Sequence, residues 1–199
     1  YTETLQTYEN LTNKSKYDIN DYVKITNSGI VLVTKSGGFW TSNYDSYFGP
    51  THATYGLKNH NVSDIMSGIK KLIVNKEAIC VLKNNTSVIT WGNNEYNKIF
   101  SYGGNSSNLQ SFLSSNIKDI IKTDKAFCAL NNDGKIITWG HSNYGGDYKH
   151  KYDEITDISS ISSNIYSMAA ISKTGKLYTW GEYGRYHNNA WSSDEIQTN

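Results

Sequence analysis

The feature that most constrains the fold is a strand-like segment that ends in Trp-Gly and occurs three times. The three copies, which align without a gap, are AICVLKNNTSVITWGNN (78–94), AFCALNNDGKIITWGHS (126–142) and SMAAISKTGKLYTWGEY (167–183). The Trp-Gly pairs begin at Trp91, Trp139 and Trp180, which are 48 and 41 residues apart. Self-similarity at a period of about 20–50 residues is typical of repeat folds. Each copy is therefore predicted to be one structural unit.

A fourth, more divergent copy lies upstream in GIVLVTKSGGFWTSNYDSYFG (29–49). Its Trp40 falls two residues before the aligned Trp position, and a shift of two keeps a side chain on the same face of a strand. We therefore expect a single domain over 1–199 made of four repeats. Their approximate bounds are 20–67, 68–115, 116–156 and 157–199.

Each repeat contains three β-rich runs separated by turn signals, followed by a polar loop of variable length. The loop has room for a fourth short strand. The segment SSNLQSFLSSN (106–116) could instead form a short helical turn, because Leu109, Phe112 and Leu113 are spaced i, i+3 and i+4. Units of about 40–50 residues with a Trp near a strand end are typical of propeller blades, which bury their faces against one another. The predicted fold class is all-β.

The segments ALNNDGKIITWGHSNYGGD and AISKTGKLYTWGEYG resemble the regulator-of-chromosome-condensation (RCC1) repeat, whose core reads A-L-x-x-D-G-x-V-x-x-W-G. In the copy VLKNNTSVITWGNN, Thr86 or Ser87 replaces the turn glycine. The resemblance covers most of residues 20–190 and implies RCC1-like β-propeller blades. Propellers of this family usually have about seven blades, so we expect a partial or partner-completed propeller. The alternative is a closed four-bladed ring.

The resemblance implies several functions that differ from one another. The founding member of the family is a nuclear exchange factor for a small GTPase. Other members are ubiquitin-ligase modules, signalling scaffolds and a bacterial inhibitor of β-lactamase. Fold alone does not choose among them, and no residues that would carry exchange activity stand out in this sequence.

Composition excludes some classes of partner. The net charge is +1 and no run of five basic residues occurs, so nucleic acid is not an expected partner. No apolar run approaches 18 residues, so membrane insertion is not expected. The amino-terminal residues do not resemble a signal or transit peptide. The sequence therefore does not identify the cellular compartment, and the cytoplasm is the working expectation.

Cys80 and Cys128 occupy the same repeat position, where the other copies have Val31 and Ala169. A position filled by Val, Cys, Cys and Ala is predicted to be a small apolar core site rather than a nucleophile or redox centre. Two cysteines are too few for a disulfide framework, and their spacing matches no zinc motif.

Other side chains show no pattern of a catalytic, cofactor or metal site. The loop at 141–154 contains histidines and carboxylates, but none has the spacing of a known ligand motif, so a solvated polar loop is favoured. Neither a dinucleotide nor a Walker phosphate loop occurs. We therefore predict no catalytic residue, no bound cofactor and no metal.

The loops that follow Trp-Gly contain many aromatic residues, which interfaces favour for their large, rigid contact area. Tyr102 and Tyr144 recur in phase before Gly-Gly and are expected to pack on their own blade. The non-recurring residues, together with His141 in the same variable loop, are the predicted partner contacts. They are Tyr47, Phe48, Tyr96, Phe100, His141, Tyr148, Tyr152, Tyr186 and Trp191.

The sequence therefore predicts a non-catalytic protein–protein interaction module that binds a protein partner through aromatic-rich loops on a propeller rim. Three alternatives remain. They are a structural component of a larger complex or homo-oligomer that completes the propeller, a glycan-binding propeller, and a guanine-nucleotide exchange factor.

Overall fold

The structure of the protein, a computed structural model, describes residues 22–26, 29–33, 39–41, 68–92, 102–148 and 155–181. It contains twelve described strands. They are β1 (Tyr22–Thr26), β2 (Gly29–Val33), β3 (Phe39–Thr41), β4 (Ile69–Val74), β5 (Ala78–Lys83), β6 (Val88–Gly92), β7 (Ile117–Lys122), β8 (Ala126–Asn131), β9 (Ile136–Gly140), β10 (Ile158–Ser163), β11 (Ser167–Ser172) and β12 (Leu177–Gly181). A 3₁₀ turn (Ser107–Leu109) leads into a short helix, α1 (Gln110–Leu113), and a second 3₁₀ turn spans Ser142–Tyr144.

The strands form four antiparallel sheets of three strands each, which we call the first (β1–β3), second (β4–β6), third (β7–β9) and fourth (β10–β12) sheets. In every sheet the middle strand of the sequence is also the middle strand in space. The register repeats as well, because Ala78 pairs with Gly92 and Ala126 pairs with Gly140. The prediction of four in-phase β repeats is confirmed at the level of the strands.

The middle strands of the second and third sheets, β5 and β8, are buried on both faces, which explains their continuous apolar runs. In β8, Phe127 and Ala129 pack into the cluster shared with the second sheet. Ala126, Cys128 and Leu130 alternate with them and pack into the cluster shared with the fourth sheet. Alternate side chains of a strand point to opposite faces, so β8 supplies apolar residues to both of its neighbours.

In the third and fourth sheets, the repeated tryptophan joins the sheet to the one before it. The indole Nε1–H of Trp139 donates to the carbonyl of Gly103 over 3.1 Å, and that of Trp180 donates to the carbonyl of Gly145 over 3.0 Å. Both acceptors lie in the Tyr-Gly-Gly segment that follows the preceding sheet. Each indole is therefore buried with its one polar group satisfied, as a buried tryptophan requires.

The glycine that follows each tryptophan is required by a close approach of backbone to backbone. Gly140 has φ +108°, and a Cβ built on it would lie 2.5 Å from the carbonyl oxygen of Lys125 and 2.7 Å from Cα of Ala126. Gly92 and Gly181 repeat this geometry with φ of +118° and +117°. In the Trp-Gly pair, the tryptophan packs between sheets, and the glycine lies so close to the neighbouring backbone that there is no room for a side chain.

The first strands of the four sheets run side by side, with β4 against β1, β7 against β4, and β10 against β7. Polar contacts connect them across the sheet boundaries. Lys71 Nζ lies 2.7 Å from the carboxylate of Asp119, and Ser163 donates from its hydroxyl to the carbonyl of Lys122 over 2.7 Å. Sheets packed face to face, with their first strands adjacent, are arranged as successive propeller blades.

The described sheets form an open arc. At equivalent positions of the middle strands, Leu82 and Leu130 are each 1% exposed whereas Ile171 in the fourth sheet is 44% exposed. The outer face of the fourth sheet is therefore not covered as the corresponding faces of the second and third sheets are. The structure agrees with the expected partial propeller rather than with the closed four-bladed alternative.

Two local expectations are resolved. Residues 107–113 form the 3₁₀ turn and α1, so the helical interpretation of SSNLQSFLSSN is confirmed. Thr86 is the residue that replaces the turn glycine, because it adopts φ +66° where Gly134 and Gly175 adopt +76° and +87°. No described helix is long and apolar enough to cross a lipid bilayer.

Candidate functional site: the turn rim

One edge of the arc is formed by the turns that connect the first and second strands of each sheet. We call these turns the tips; they comprise residues 75–77, 123–125 and 164–166 in the second, third and fourth sheets. Asn164 fixes its tip because its Oδ1 accepts hydrogen bonds from the backbone N–H groups of Tyr166 and Ser167 over 2.8 and 2.7 Å. Asn75 does the same for Glu77 and Ala78, as expected of Asn in turns.

The tips are joined to the Tyr-Gly-Gly segments that follow Trp-Gly. Asn75 donates from Nδ2 to the carbonyl of Tyr102 over 2.6 Å. Thr123, which holds the same position in the third sheet, donates from its hydroxyl to the carbonyl of Tyr144 over 2.8 Å. Tips and post-Trp-Gly segments therefore form one continuous rim.

The tips are also hydrogen-bonded to one another through their backbones. The N–H of Lys76 donates to the carbonyl of Asp124 over 3.1 Å, and the N–H of Asp124 donates to the carbonyl of Ile165 over 2.9 Å. These three residues occupy the same position in successive repeats. We call this series the tip ladder; it fixes the spacing of neighbouring tips without using side chains.

A row of aromatic and cationic side chains follows the tip ladder. Lys125 Nζ lies 5.5 Å from the ring centroid of Tyr102 and 4.8 Å from that of Tyr144. Tyr144 is in turn 5.8 Å, centroid to centroid, from Tyr166. A cation within about 6 Å of an aromatic ring centroid is attracted to the ring. The recurring tyrosines therefore do more than pack on their own sheet, since they link the tips of successive sheets.

His141, one of the predicted partner contacts, is 7% exposed and begins the second 3₁₀ turn. Its Nδ1 accepts a hydrogen bond from the N–H of Asn143 over 3.2 Å, and its ring meets that of Tyr144 edge-on at 5.1 Å. The side chain is thus occupied in shaping the loop, and only a small part of it reaches solvent. The burial of His141 corrects the expectation that it is a solvated loop residue.

Tyr148, a second predicted contact, is half-buried at the boundary between the third and fourth sheets. Its ring lies 6.5 Å from that of Trp180 in an edge-on arrangement. The other predicted contacts lie outside the described residues, so their role remains a prediction. They are Tyr47, Phe48, Tyr96, Phe100, Tyr152, Tyr186 and Trp191.

The rim also presents two residues that sequence analysis missed. Ile165 is 55% and Tyr166 is 38% exposed at the tip of the fourth sheet. The second and third sheets have the charged pairs Lys76-Glu77 and Asp124-Lys125 at the same positions. The alignment of the repeats shows this apolar pair at a turn where the other copies have charged residues. The difference indicates a candidate contact surface only once the tips are known to be exposed.

The two cysteines lie in the core, as predicted. Cys80 and Cys128 are both fully buried and unpaired. Burial raises the pKa of each thiol well above its ordinary range, with the nearby Asp119 raising that of Cys128 further. In the described ranges, no three His, Cys, Asp or Glu side chains cluster in a way that could hold a metal ion.

We expect neither thiol to react with Ellman's reagent at pH 8 in the folded protein, and both to react in urea, because only unfolding exposes them and lets them ionise. Rapid labelling of either thiol under native conditions would contradict the burial described here.

The raised pKa of the two thiols also affects the stability of the fold. Above the unfolded-state pKa of about 8.5, the unfolded chain binds fewer protons than the native state, so the free energy of unfolding should fall as pH rises.

Comparison with known proteins yields matches among solved structures only. No family model matches the chain, and no curated protein matches it significantly. Similar solved structures include human WBSCR16, with 12% identity, a TM-score of 0.45 and coverage of 81% of this chain and 47% of that chain. The ectodomain of the Physcomitrella patens receptor kinase CR4 shows 14% identity and a TM-score of 0.49, with coverage of 78% and 39%.

RCC1 is also among the similar structures. Prp20p, the RCC1 of Saccharomyces cerevisiae, shows 18% identity and a TM-score of 0.43 over 78% of this chain and 40% of that chain. One Prp20 structure is of its complex with Kap60. The present chain spans less than half the length of each of these proteins. The description of the fold as propeller blades rests on its own phased sheets.

Proposed function

We propose that the protein is a non-catalytic protein-binding module that presents its turn rim and the adjoining loops to a protein partner. The observation that carries the proposal is the row of Lys125, Tyr144 and Tyr166, which ends in the exposed side chains of Ile165 and Tyr166. Tyrosine and other aromatic residues are enriched at protein interfaces. A sheet scaffold holds them in place, so little entropy is lost when a partner binds.

The predicted loop contacts belong to the same proposal. Tyr47, Phe48, Tyr96, Phe100, Tyr152, Tyr186 and Trp191 all lie in segments that follow the third strand of a repeat. In the third repeat, that segment leads directly into the rim at Tyr144. Loops on a rigid scaffold are where binding residues concentrate, and these loops are also where the repeats differ most.

The proposal assigns no chemistry to the module. The two residues with the most reactive functional group, Cys80 and Cys128, are buried core residues with raised thiol pKa values. Both cysteines pack between sheets, Cys80 in the cluster shared by the second and third sheets and Cys128 in the cluster shared by the third and fourth. The rim side chains described above can form contacts and hydrogen bonds with a partner, and they need no bound cofactor to do so.

The test is affinity purification from a lysate of the source organism, with the wild-type protein and rim variants as bait. We expect Tyr166→Ser, Tyr152→Ala and Trp191→Ala each to reduce recovery of a specific protein by more than about tenfold, as truncation of an interface anchor does. Tyr148→Ala is a poor choice of variant because Tyr148 also packs against Trp180.

The matched control is Phe112→Ser, which removes a side chain that is 62% exposed on α1. Shortly after α1, the N–H of Asn116 donates to Thr86 in the turn between β5 and β6, so α1 lies toward the opposite ends of the strands from the tips. Equal recovery by all baits would contradict the proposal. Binding to a glycan array that is abolished by the same variants would replace the protein partner with a sugar.

A further inference from the structure

The tip ladder ends at Ile165 with a free donor. In the second and third sheets, the N–H groups of Lys76 and Asp124 each donate to the carbonyl of the next tip. Ile165 occupies the same position in the fourth sheet, and its carbonyl accepts from Asp124. Within the described ranges, the N–H of Ile165 donates no hydrogen bond. The N–H of Ile165 is therefore a further backbone donor of the ladder, and the two hydrogen bonds before it set its spacing and orientation.

Apolar side chains surround this donor. Ile165 and Tyr166 are 55% and 38% exposed, and the Tyr166 ring lies against Tyr144. A backbone donor beside exposed apolar surface is the combination that strand-addition sites use, with the main chain supplying hydrogen bonds and side-chain contacts supplying selectivity. The tips that already have a neighbour carry charged side chains instead.

The outer face of the fourth sheet argues against a further sheet of the same kind as the occupant. Ser162 stands where the second and third sheets have Ile73 and Ile121, and Ser167 stands where both have alanine. Ser162 is exposed, so stacking another sheet here would bury its hydroxyl group at a cost unless the group found a partner. The hydroxyl of Ser167 is already buried. Ile171, at the far end of β11, is the large exposed apolar side chain of this face. The tip thus offers more for docking than the sheet does.

We propose that the end of the tip ladder binds an extended segment of a partner protein. A backbone carbonyl of that segment accepts the hydrogen bond from the N–H of Ile165, as the carbonyls of Asp124 and Ile165 do within the chain. An apolar side chain of the segment packs on Ile165 and Tyr166. This inference rests on the proposed function and locates its contact at one tip.

Two variants separate the two parts of the contact. Ile165→Pro removes the donor and keeps an apolar side chain. Proline is suited to the second position of a turn. The hydrogen bonds that hold this tip, donated by the N–H groups of Tyr166 and Ser167 to Asn164 Oδ1, do not involve the N–H of Ile165. The double variant Ile165→Ser with Tyr166→Ser keeps the donor and removes the apolar surface. Phe112→Ser is again the control, and thermal unfolding should show all three to be folded.

The probe is a random peptide display library selected on the wild-type 199-residue protein, with enriched peptides remeasured by fluorescence anisotropy. We expect enriched peptides to share an apolar residue and to bind wild type and Phe112→Ser equally. Their affinity should fall about fivefold to tenfold for Ile165→Pro, the usual effect of one lost hydrogen bond. It should fall at least as much for the double variant.

Three results would overturn the inference. One is the absence of any enriched peptide, and another is full binding of enriched peptides to Ile165→Pro. The third is a wild-type dimer in light scattering that Ile165→Pro dissociates, because the occupant would then be a second copy of the chain. If peptide binding is lost with Trp191→Ala but not with Ile165→Pro, the tip is not the contact while the proposed function stands.

Discussion

Replacing Trp139 by alanine is expected to lower the free energy of unfolding by about 3–5 kcal/mol, the range for truncating a buried aromatic residue. The indole is 5% exposed, stacks on Phe127 with centroids 5.5 Å apart, and belongs to the cluster that joins the second and third sheets. Its loss would also leave the buried carbonyl of Gly103 without the indole donor.

Urea unfolding followed by circular dichroism measures this loss. Trp139→Phe keeps a ring in the cluster and removes the donor, so it should lose less than the alanine variant. The comparison separates packing from the hydrogen bond, which is worth about 1 kcal/mol. Phe112→Ala, at a side chain that is 62% exposed, should change stability by less than about 0.5 kcal/mol. A loss below about 1 kcal/mol for Trp139→Ala would mean that the sheets do not depend on this anchor.

Gly140→Ala is expected to cost about 3 kcal/mol or more, because a positive φ and a backbone collision act together. The new methyl group would lie 2.5 Å from the carbonyl oxygen of Lys125 and 2.7 Å from Cα of Ala126. Both atoms are backbone atoms at the start of β8, so no side-chain rotation can relieve the contact. The pairing of β8 with β9 should separate at this end.

The matched control for the glycine is Gly175→Ala. Gly175 has a similar φ of +87°, but a Cβ there would meet no atom within 4 Å. This variant carries the conformational penalty alone, about 1–2 kcal/mol. The difference between the two variants in chemical unfolding therefore measures the close approach. Equal losses of stability would show that the positive φ, and not the close approach of the neighbouring backbone, explains why glycine is required at position 140.

The repeat units and their core could be predicted from sequence because periodicity records burial directly. Cys80 and Cys128 fall at one aligned position and are fully buried, as their replacement by Val and Ala in other copies indicated. The Trp-Gly copies at Trp139 and Trp180 likewise mark the boundaries on either side of the third sheet. Residues that face a neighbouring unit are constrained in every copy, so comparing copies reveals them.

The rim was harder to predict because it depends on contacts between units. The tip ladder is made of backbone groups, whose pairing leaves no pattern of residue types. Ile165 and Tyr166 differ from the charged pairs of other tips, but that difference has meaning only at an exposed turn. His141 was assigned to a solvated loop from its variability, and its burial follows from the 3₁₀ turn that it caps.

Every described strand pairs only with strands of its own repeat. The boundaries between the second, third and fourth sheets are crossed by side-chain packing, a few polar contacts, the backbone bonds of the tip ladder and the indole-to-glycine bonds. A gene segment that encodes one repeat can therefore be duplicated or deleted without separating any strand from its partner. The new boundary regains its indole donor and its glycine acceptor from the copies on either side. The arrangement allows the number of repeats to change by recombination while every sheet keeps its own hydrogen bonds.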